Sequence, residues 1–289
     1  MSSSPDDIRS PGLWPSRKRK SYLREEGARS ALIAAFSTIV VIGLALWWIL
    51  SSETWPAVQK QFFNPTNFRE VFPDVAGAFW LDIQMFLVAE VLILAFALVL
   101  AMVRALRGSA FFPLRALVVV FIDLIRGVPI ILLILVLGFG IPALQLRGVP
   151  KSPLFWGVAT LVISYSAYTA EVYRAGIESV HESQRMSARS LGLTQVQALR
   201  YVLVPQAIRN VIPALLNGFV SLQKDVALVF ILGVREGVRE AQIYTARTFN
   251  YTGYIAATVL FLAVSVPVAR FTDWYTARDR QRKQAVGSG

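Results

Sequence analysis

The segment Trp80–Arg104 reads WLDIQMFLVAEVLILAFALVLAMVR, and it decides the class of fold. It exceeds the roughly 20 residues that carry a helix across about 30 Å of hydrocarbon. Inside lipid the backbone must satisfy its own hydrogen bonds, so a single run of this kind has to be helical. Five further apolar runs lie at roughly 31–50, 116–140, 154–175, 206–224 and 254–275. The expectation is an all-α transmembrane protein, a six-helix polytopic bundle. Composition points the same way. Hydrophobic residues make up 55% and charged residues 16%, against about 25% charged in a soluble domain, and mean hydropathy is +0.53.

The chain carries a net charge of +11, and the positions of the charges say why. Arg17–Lys20, Arg104 with Arg107 and Arg115, Arg185 with Arg189 and Arg200, and Arg278 with Arg280, Arg282 and Lys283 all flank apolar runs. The tendency of basic residues to remain on the cytoplasmic side accounts for these clusters. A nucleic-acid partner is excluded, since no recognition motif accompanies the charge. With the N-terminus inside, segments 1–30, 105–115, 176–205 and 276–289 collect most of the basic residues. The outer segments 51–79, 141–153 and 225–253 dilute theirs with Glu53, Glu70, Asp74, Asp225, Glu236 and Glu240. Both termini are expected in the cytoplasm. Residues 1–30 are polar and expected to be disordered. The run 31–50 is too long for a signal-peptide core, follows the acids Asp6, Asp7, Glu25 and Glu26, and ends in the interfacial pair Trp47-Trp48. It reads as a retained helix.

Several kinds of chemistry are missing from the pattern. The chain has no cysteine, hence no disulfide framework and no thiolate metal site. No histidine–carboxylate set has metal-ligand spacing, and no Gly-x-x-x-x-Gly-Lys loop is present to hold a nucleotide phosphate. Neither a cofactor nor a catalytic residue is expected.

The connection 176–205 differs from the other loops in being long and helix-patterned without being apolar enough to span. Residues 178–190 form a polar helix in this reading, and Gly192 stands where a left-handed residue ends one. Thr194-x-x-Gln197 has the form of a capping box opening a second helix. Val196, Leu199, Val202 and Leu203 follow at helical spacing, with Pro205 near a helix start or kink. The product is a helix–glycine–helix hairpin.

Met186-Ser187-Ala188, three residues, Gly192, nine residues and Val202-Leu203-Val204-Pro205 resemble the EAA motif of ATP-binding cassette (ABC) importer permeases. Spacing is kept. The departures are Met186 for the acidic residue, Ser187 for the first alanine, and Val202 and Val204 for isoleucine and leucine. Four more stretches resemble the polar-amino-acid (histidine/glutamine-type) branch of that family: Asp123–Pro129 (DLIRGVP), Ala167–Val180 (AYTAEVYRAGIESV), Val204–Arg209 (VPQAIR) and Ser221–Val229 (SLQKDVALV).

The resemblance implies a five-helix type I importer core, over about 75–275, with an extra helix and outer loop at 31–74 and cytoplasmic tails at 1–30 and 276–289. It implies a non-enzymatic subunit in the inner membrane of a prokaryote. Its implied partners are a dimer of cytoplasmic ATPases, a second permease subunit, an extracytoplasmic solute-binding protein and a polar amino acid. Met186, Ser187, Ala188, Gly192, Val202 and Pro205 are the implied contacts of the ATPase within a coupling hairpin at 178–205.

Tyr168, Glu171, Lys224, Asp225, Arg126, Gly127 and Pro129 are the candidates for the solute pathway or its gates. Glu171 either faces a cavity or pairs with Arg174. Asp123 and Arg126 are expected to pair with each other, and Gly127 with Pro129 to break their helix. Lys224 and Asp225 either touch solute, close an outer gate or neutralise each other. Glu90 is an intramembrane acid in need of a partner, and His181 reads as surface. The alternatives are an ABC permease for another small solute, such as a peptide or sugar, or a secondary transporter. The last often shows inverted repeats, and none is visible here.

Overall fold

The computed structural model describes residues 16–106, 108–180 and 182–287, without the side chains of 16–29, 31, 32, 182, 185, 195, 196, 199, 280 and 282–287. Residues 1–15 and His181 lie outside the described residues, as do the side chains of the basic stretches at 17–20 and 282–283. The described chain is helical throughout its regular structure, with no strand among the described residues. It divides into two compact units, one ending at Lys60 and one beginning at Gln61.

In the first unit α1 runs Ser16–Leu50. The disorder expected to residue 30 is therefore not seen over 16–30. That stretch continues the helix of the following apolar run, as good helix formers such as Lys, Arg, Leu, Glu and Ala allow. Every residue of 33–50 is exposed, and the run is apolar on all sides, as suits contact with lipid. A short α2 (Trp55–Phe62) follows.

The second unit is built around α3 (Pro65–Ala105) and α7 (Pro153–Glu178). Asn64 caps α3, its Oδ1 accepting from the amides of Thr66 at 3.0 Å and Asn67 at 3.3 Å, with Pro65 at the first helical position. This start precedes residue 75, the expected beginning of the core. α4 (Phe112–Gly127) and α5 (Ile130–Leu135) meet at a 105° bend. Val128 has extended geometry there, with φ −108° and ψ 132°, the conformation that a following proline imposes. The run 116–140 is thus a broken passage and not one straight span. It goes on through a π turn (Val136–Gly140) to α6 (Ile141–Ala143).

Beyond α7 come α8 (Glu182–Ser190), α9 (Gln195–Ala198) and a π turn (Leu199–Leu203). The chain continues in α10 (Val204–Asp225), a tighter 3-10 stretch (Val226–Leu232), α11 (Gly237–Thr248) and α12 (Thr252–Gly287). α10 carries on from α9 through the π turn, so the apolar segment begins at Arg200 and not at residue 206. α12 likewise passes the expected end at 275.

By length and apolarity four segments qualify to cross a membrane: Ile33–Leu50, Trp55–Ala105, Arg200–Leu232 and Thr252–Asp279, with the bent pair Ser109–Gly127 and Ile130–Ala143 as a fifth. The sixth expected span, 154–175, is not among them. α7 is diluted by small and polar residues because it faces protein. Gly157, Thr160, Ser164, Ser166, Ala167, Ala170 and Gly176 are all buried. Small residues let helix backbones approach closely where lipid provides no hydrophobic drive for packing. At Gly157 a β-carbon would stand 2.4 Å from Val229 Cγ1, and at Gly176 1.9 Å from Val211 Cγ1. One apolar core joins α3, α5, α7, α10 and the 3-10 stretch through Phe86, Ile134, Leu161, Leu222 and Val229. A second joins α3, α4 and α7 through Leu100, Ile122 and Ala167, and a third joins α3, α11 and α12.

Candidate functional site

One face of α7 presents Tyr165, Tyr168, Thr169 and Val172, and one face of α10 presents Ala214, Gly218, Ser221 and Asp225. The spacings are those of single helical stripes. Between the two stripes lies a cavity of about 420 Å³, lined also by Ile130 from the start of α5. The Tyr165 hydroxyl donates to Asp225 Oδ2 at 2.7 Å. The Tyr168 hydroxyl donates to the carbonyl of Arg126 at 3.3 Å, and the Arg126 guanidinium lies over the Tyr168 ring, 5.6 Å from its centroid. That carbonyl belongs to the last turn of α4, where helix geometry leaves it without an intrahelical partner.

Of the expected pathway residues, Tyr168 and Asp225 line this cavity. Gly127 and Pro129 bracket the bend beside it. Arg126 is brought onto Tyr168 and forms no ion pair with Asp123 among the described residues, contrary to expectation. Both of those side chains are exposed, so a pair between them gains little in high dielectric, and the Arg126 guanidinium lies over the Tyr168 ring instead. Lys224 and Asp225 do not neutralise each other either. They point to different sides of α10, and Lys224 lines a separate cavity of about 590 Å³ bounded by α10, α11 and α12.

Glu171 is engaged in ion pairs. Arg174 Nε donates to its Oε1 at 2.7 Å and Arg104 Nη1, from α3, to its Oε2 at 2.6 Å. Arg174 also pairs with Glu178. The expected Arg174 partner is present, and Arg104 adds a bond between helices that sequence spacing could not show. Glu90 is half-buried and makes no hydrogen bond or ion pair among the described residues. It lies within electrostatic reach of Tyr165 and Tyr173.

A buried carboxyl pair closes the other end of the unit. Asp82 Oδ2 accepts from the amide of Gly237 at 3.0 Å, and Glu236 caps α11, accepting from the amides of Val238 at 2.8 Å and Arg239 at 2.7 Å. Burial, and then the neighbouring Asp82 carboxylate, push the Glu236 carboxyl up to about 8.

The turn at the centre of the hairpin is built as its sequence pattern indicates. The expected helix over 178–190 is divided, however, since α7 ends at Glu178 and α8 begins at Glu182. The expected second short helix is only the four-residue α9, which runs on through the π turn into α10. Gly192 has φ +83°. Its amide donates to Arg189 O at 3.0 Å, and the Leu193 amide to Ala188 O at 3.2 Å, the paired bonds of a left-handed helix terminus. Thr194 and Gln197 cap each other, Gln197 N to Thr194 Oγ1 at 3.3 Å and Thr194 N to Gln197 Oε1 at 2.9 Å. Ala188 is buried, Val202 and Pro205 are half-buried, and Ser187 is exposed. Met186 is 59% and Leu191 82% exposed, with open space around Gly192. The arrangement is a stiff bracket with apolar side chains held outward.

Residues 97–281 match the family described as binding-protein-dependent transport system inner membrane component. The chain belongs to that family. It is 34% identical over 187 residues to the probable glutamine ABC transporter permease protein GlnM of Bacillus subtilis, covering 63% of this chain and 84% of that one. It is 35% identical over 179 residues to the L-cystine transport system permease protein TcyL of the same organism, covering 60% and 75%. Among solved structures it resembles an amino acid ABC transporter crystallised with histidines, at TM-score 0.67 and 28% identity, covering 74% of this chain and 98% of that one. The inward-facing methionine transporter MetNI shares the fold, at TM-score 0.55 and 18% identity. This family member is a multi-pass cell-membrane protein and a transport component.

Sequence reading misses Tyr165. Its hydroxyl finds Asp225 only in three dimensions, and the sole hint in the sequence is the stripe 165, 168, 169 and 172.

Proposed function

We infer that this permease takes up polar amino acids in an ABC importer, driven by a separate ATPase. Kinship to glutamine and cystine permeases carries the reading. In the same reading Met186, Ser187, Ala188, Gly192, Val202 and Pro205 form the coupling surface. A motor can move a membrane subunit only through a lever with its own satisfied backbone, and the capped hairpin has one. ATP closes the motor dimer, the bracket follows, and α7 and α10 shift against each other and alter access to the cavity between them. A second permease subunit completes the pathway, and an extracytoplasmic binding protein delivers solute. Asp225 and Tyr168 contact the solute, with Arg126, Gly127 and Pro129 at the bend forming a gate and Glu171 locking α7 to α3. The extra N-terminal segment is an addition to the core, and both termini face the cytoplasm.

The test is purification of the native complex from membranes, followed by ATP-dependent uptake in proteoliposomes with an amino-acid panel as competitor. Competition by sugars or oligopeptides alone would overturn the substrate class. Single cysteines at Ser10 and Ser288 are expected to resist an impermeant thiol reagent in intact cells, while one at Thr66 labels. The reverse pattern would overturn the orientation.

A further inference from the structure

The bond from Tyr165 to Asp225 joins α7 to the last residue of α10, at the rim of the cavity. It is not needed to hold the two helices together. Around it Leu161, Leu222, Val226 and Val229 form a continuous apolar contact, and Gly157 brings the backbones close against Val229. What the bond does fix is the carboxylate. A free aspartate turns about two side-chain torsions, whereas here a neutral donor at 2.7 Å holds Oδ2. Oδ1 has no protein partner among the described residues. Among the described residues no cation pairs with it: Lys224 faces the other cavity, and the Arg126 guanidinium lies over the Tyr168 ring. The second acid nearby, Glu90, adds negative potential at Tyr165.

We propose that Tyr165 is a positioning residue, holding the Asp225 carboxylate so that its free oxygen receives a primary ammonium group on the transported solute. Preorganisation of this kind removes the cost of ordering the acceptor when the ligand arrives. A phenol suits the task, since it donates without adding a positive charge that would repel the ligand. The proposal rests on the importer reading, and it separates Tyr165 from Tyr173 on the same helix, which packs beside the second apolar core.

The experiment measures equilibrium binding of radiolabelled arginine, glutamine and glutamate to the permease–ATPase complex in nanodiscs, without binding protein. Tyr165→Phe is expected to weaken binding about tenfold, the scale of a hydrogen bond to a charged group. ATPase co-purification shows that the variant complex assembles. Asp225→Asn weakens binding at least as much. The double variant binds no more weakly than Asp225→Asn alone, because the hydroxyl acts only through the carboxylate. Amino acids compete in the parent complex, and their 2-hydroxy analogues, which lack the ammonium group, do not. Tyr173→Phe is silent. If Tyr165→Phe fails to assemble, Asp225→Glu carries the same expectation, since it keeps the charge while displacing the carboxylate from the hydroxyl. Losses that add in the double variant, a normal Tyr165→Phe beside a defective Asp225→Asn, or competition by the 2-hydroxy acids would each overturn the proposal. Failure of the importer reading looks different: the parent complex itself shows no ATP-dependent uptake of any amino acid.

Discussion

Gly176 in the last turn of α7 and Gly192 just past the end of α8 lie on either side of α8, and each is glycine for a reason the other lacks. Gly176 has ordinary helical geometry but no room. A β-carbon there would meet Val211 Cγ1 at 1.9 Å and the Ala207 carbonyl at 3.4 Å. Gly192 has ample room but unusual geometry, with φ +83° and nothing within 4 Å of the place a β-carbon would take. One region is determined by what it touches inside the chain. The other is determined by its own backbone and turns its apolar side chains away from the chain. That contrast separates a residue that holds the bundle together from one that sets the geometry of an exposed turn, where the proposed coupling surface lies.

The largest effect is expected where the space is least. Gly176→Val forces α7 from α10 along their whole contact, and overpacking of a core costs about 1–3 kcal/mol even for milder insertions. The expected result is loss of monodisperse protein after detergent extraction, with partial recovery when Val211→Ala is added. Normal yield of Gly176→Val would show that the joint yields, and the contrast with Gly192 would collapse.

Next in size is Gly192→Val. The strain is local, and no packing inside the membrane is touched, so the protein is expected to fold and extract normally. A β-branched residue at positive φ unwinds the end of α8 and tilts the bracket. Pull-down of the ATPase, or substrate-stimulated hydrolysis in nanodiscs, is then expected to fall at least tenfold. Gly192→Ala costs only about 1 kcal/mol of backbone strain and retains part of the coupling. Gly192→Val with normal transport would remove the coupling role from the hairpin.

Much of this contrast is legible in the sequence. The left-handed turn at Gly192 and the reciprocal cap of Thr194 with Gln197 are local, so spacing alone carries them. The six expected spans are less secure. α7 is legible as a long helix, but its small polar residues mark burial among helices and not lipid, which a count of apolar runs cannot separate. Pairings across helices are the least legible. Arg104 with Glu171, Tyr165 with Asp225 and Asp82 beside Glu236 join residues far apart in sequence. Asp123 and Arg126, close on one helix, are expected to pair and do not. Nearness along a helix permits a contact, and the neighbouring element decides whether it forms.

Glu236 offers a smaller test on the packed side of the comparison. Its carboxyl is fully buried and held up at about 8 by burial and by Asp82. In the unfolded chain an ordinary glutamate releases its proton near 4.5. Between these values the folded state binds more protons than the unfolded one, so stability falls as pH rises through the window and levels off above about 8. The melting temperature of the purified protein is expected to drop by a few degrees across that range. Glu236→Gln keeps one acceptor oxygen for the two amides that the carboxylate holds with separate oxygens, so it lowers stability at every pH, and it is expected to flatten the profile. An unchanged slope would place the titrating group elsewhere.

The smallest effect belongs to Ser190, two residues before the hairpin glycine. Its hydroxyl donates to the Met186 carbonyl at 3.0 Å, one turn back on an exposed helix face. Such a bond returns to the chain's own backbone, competes with water and slightly weakens the helix that makes it. Ser190→Ala removes that competition and replaces serine by the best helix former, so α8 is unchanged or steadied by a few tenths of a kcal/mol. The left-handed turn is untouched, since its bonds run from the amides of Gly192 and Leu193. ATPase pull-down and stimulated hydrolysis are therefore expected to match the parent within about twofold. A coupling defect in Ser190→Ala as large as that of Gly192→Val would show that the partner reads the side-chain surface of α8 and not the geometry of its end. The special standing of Gly192 would then pass to the whole helix.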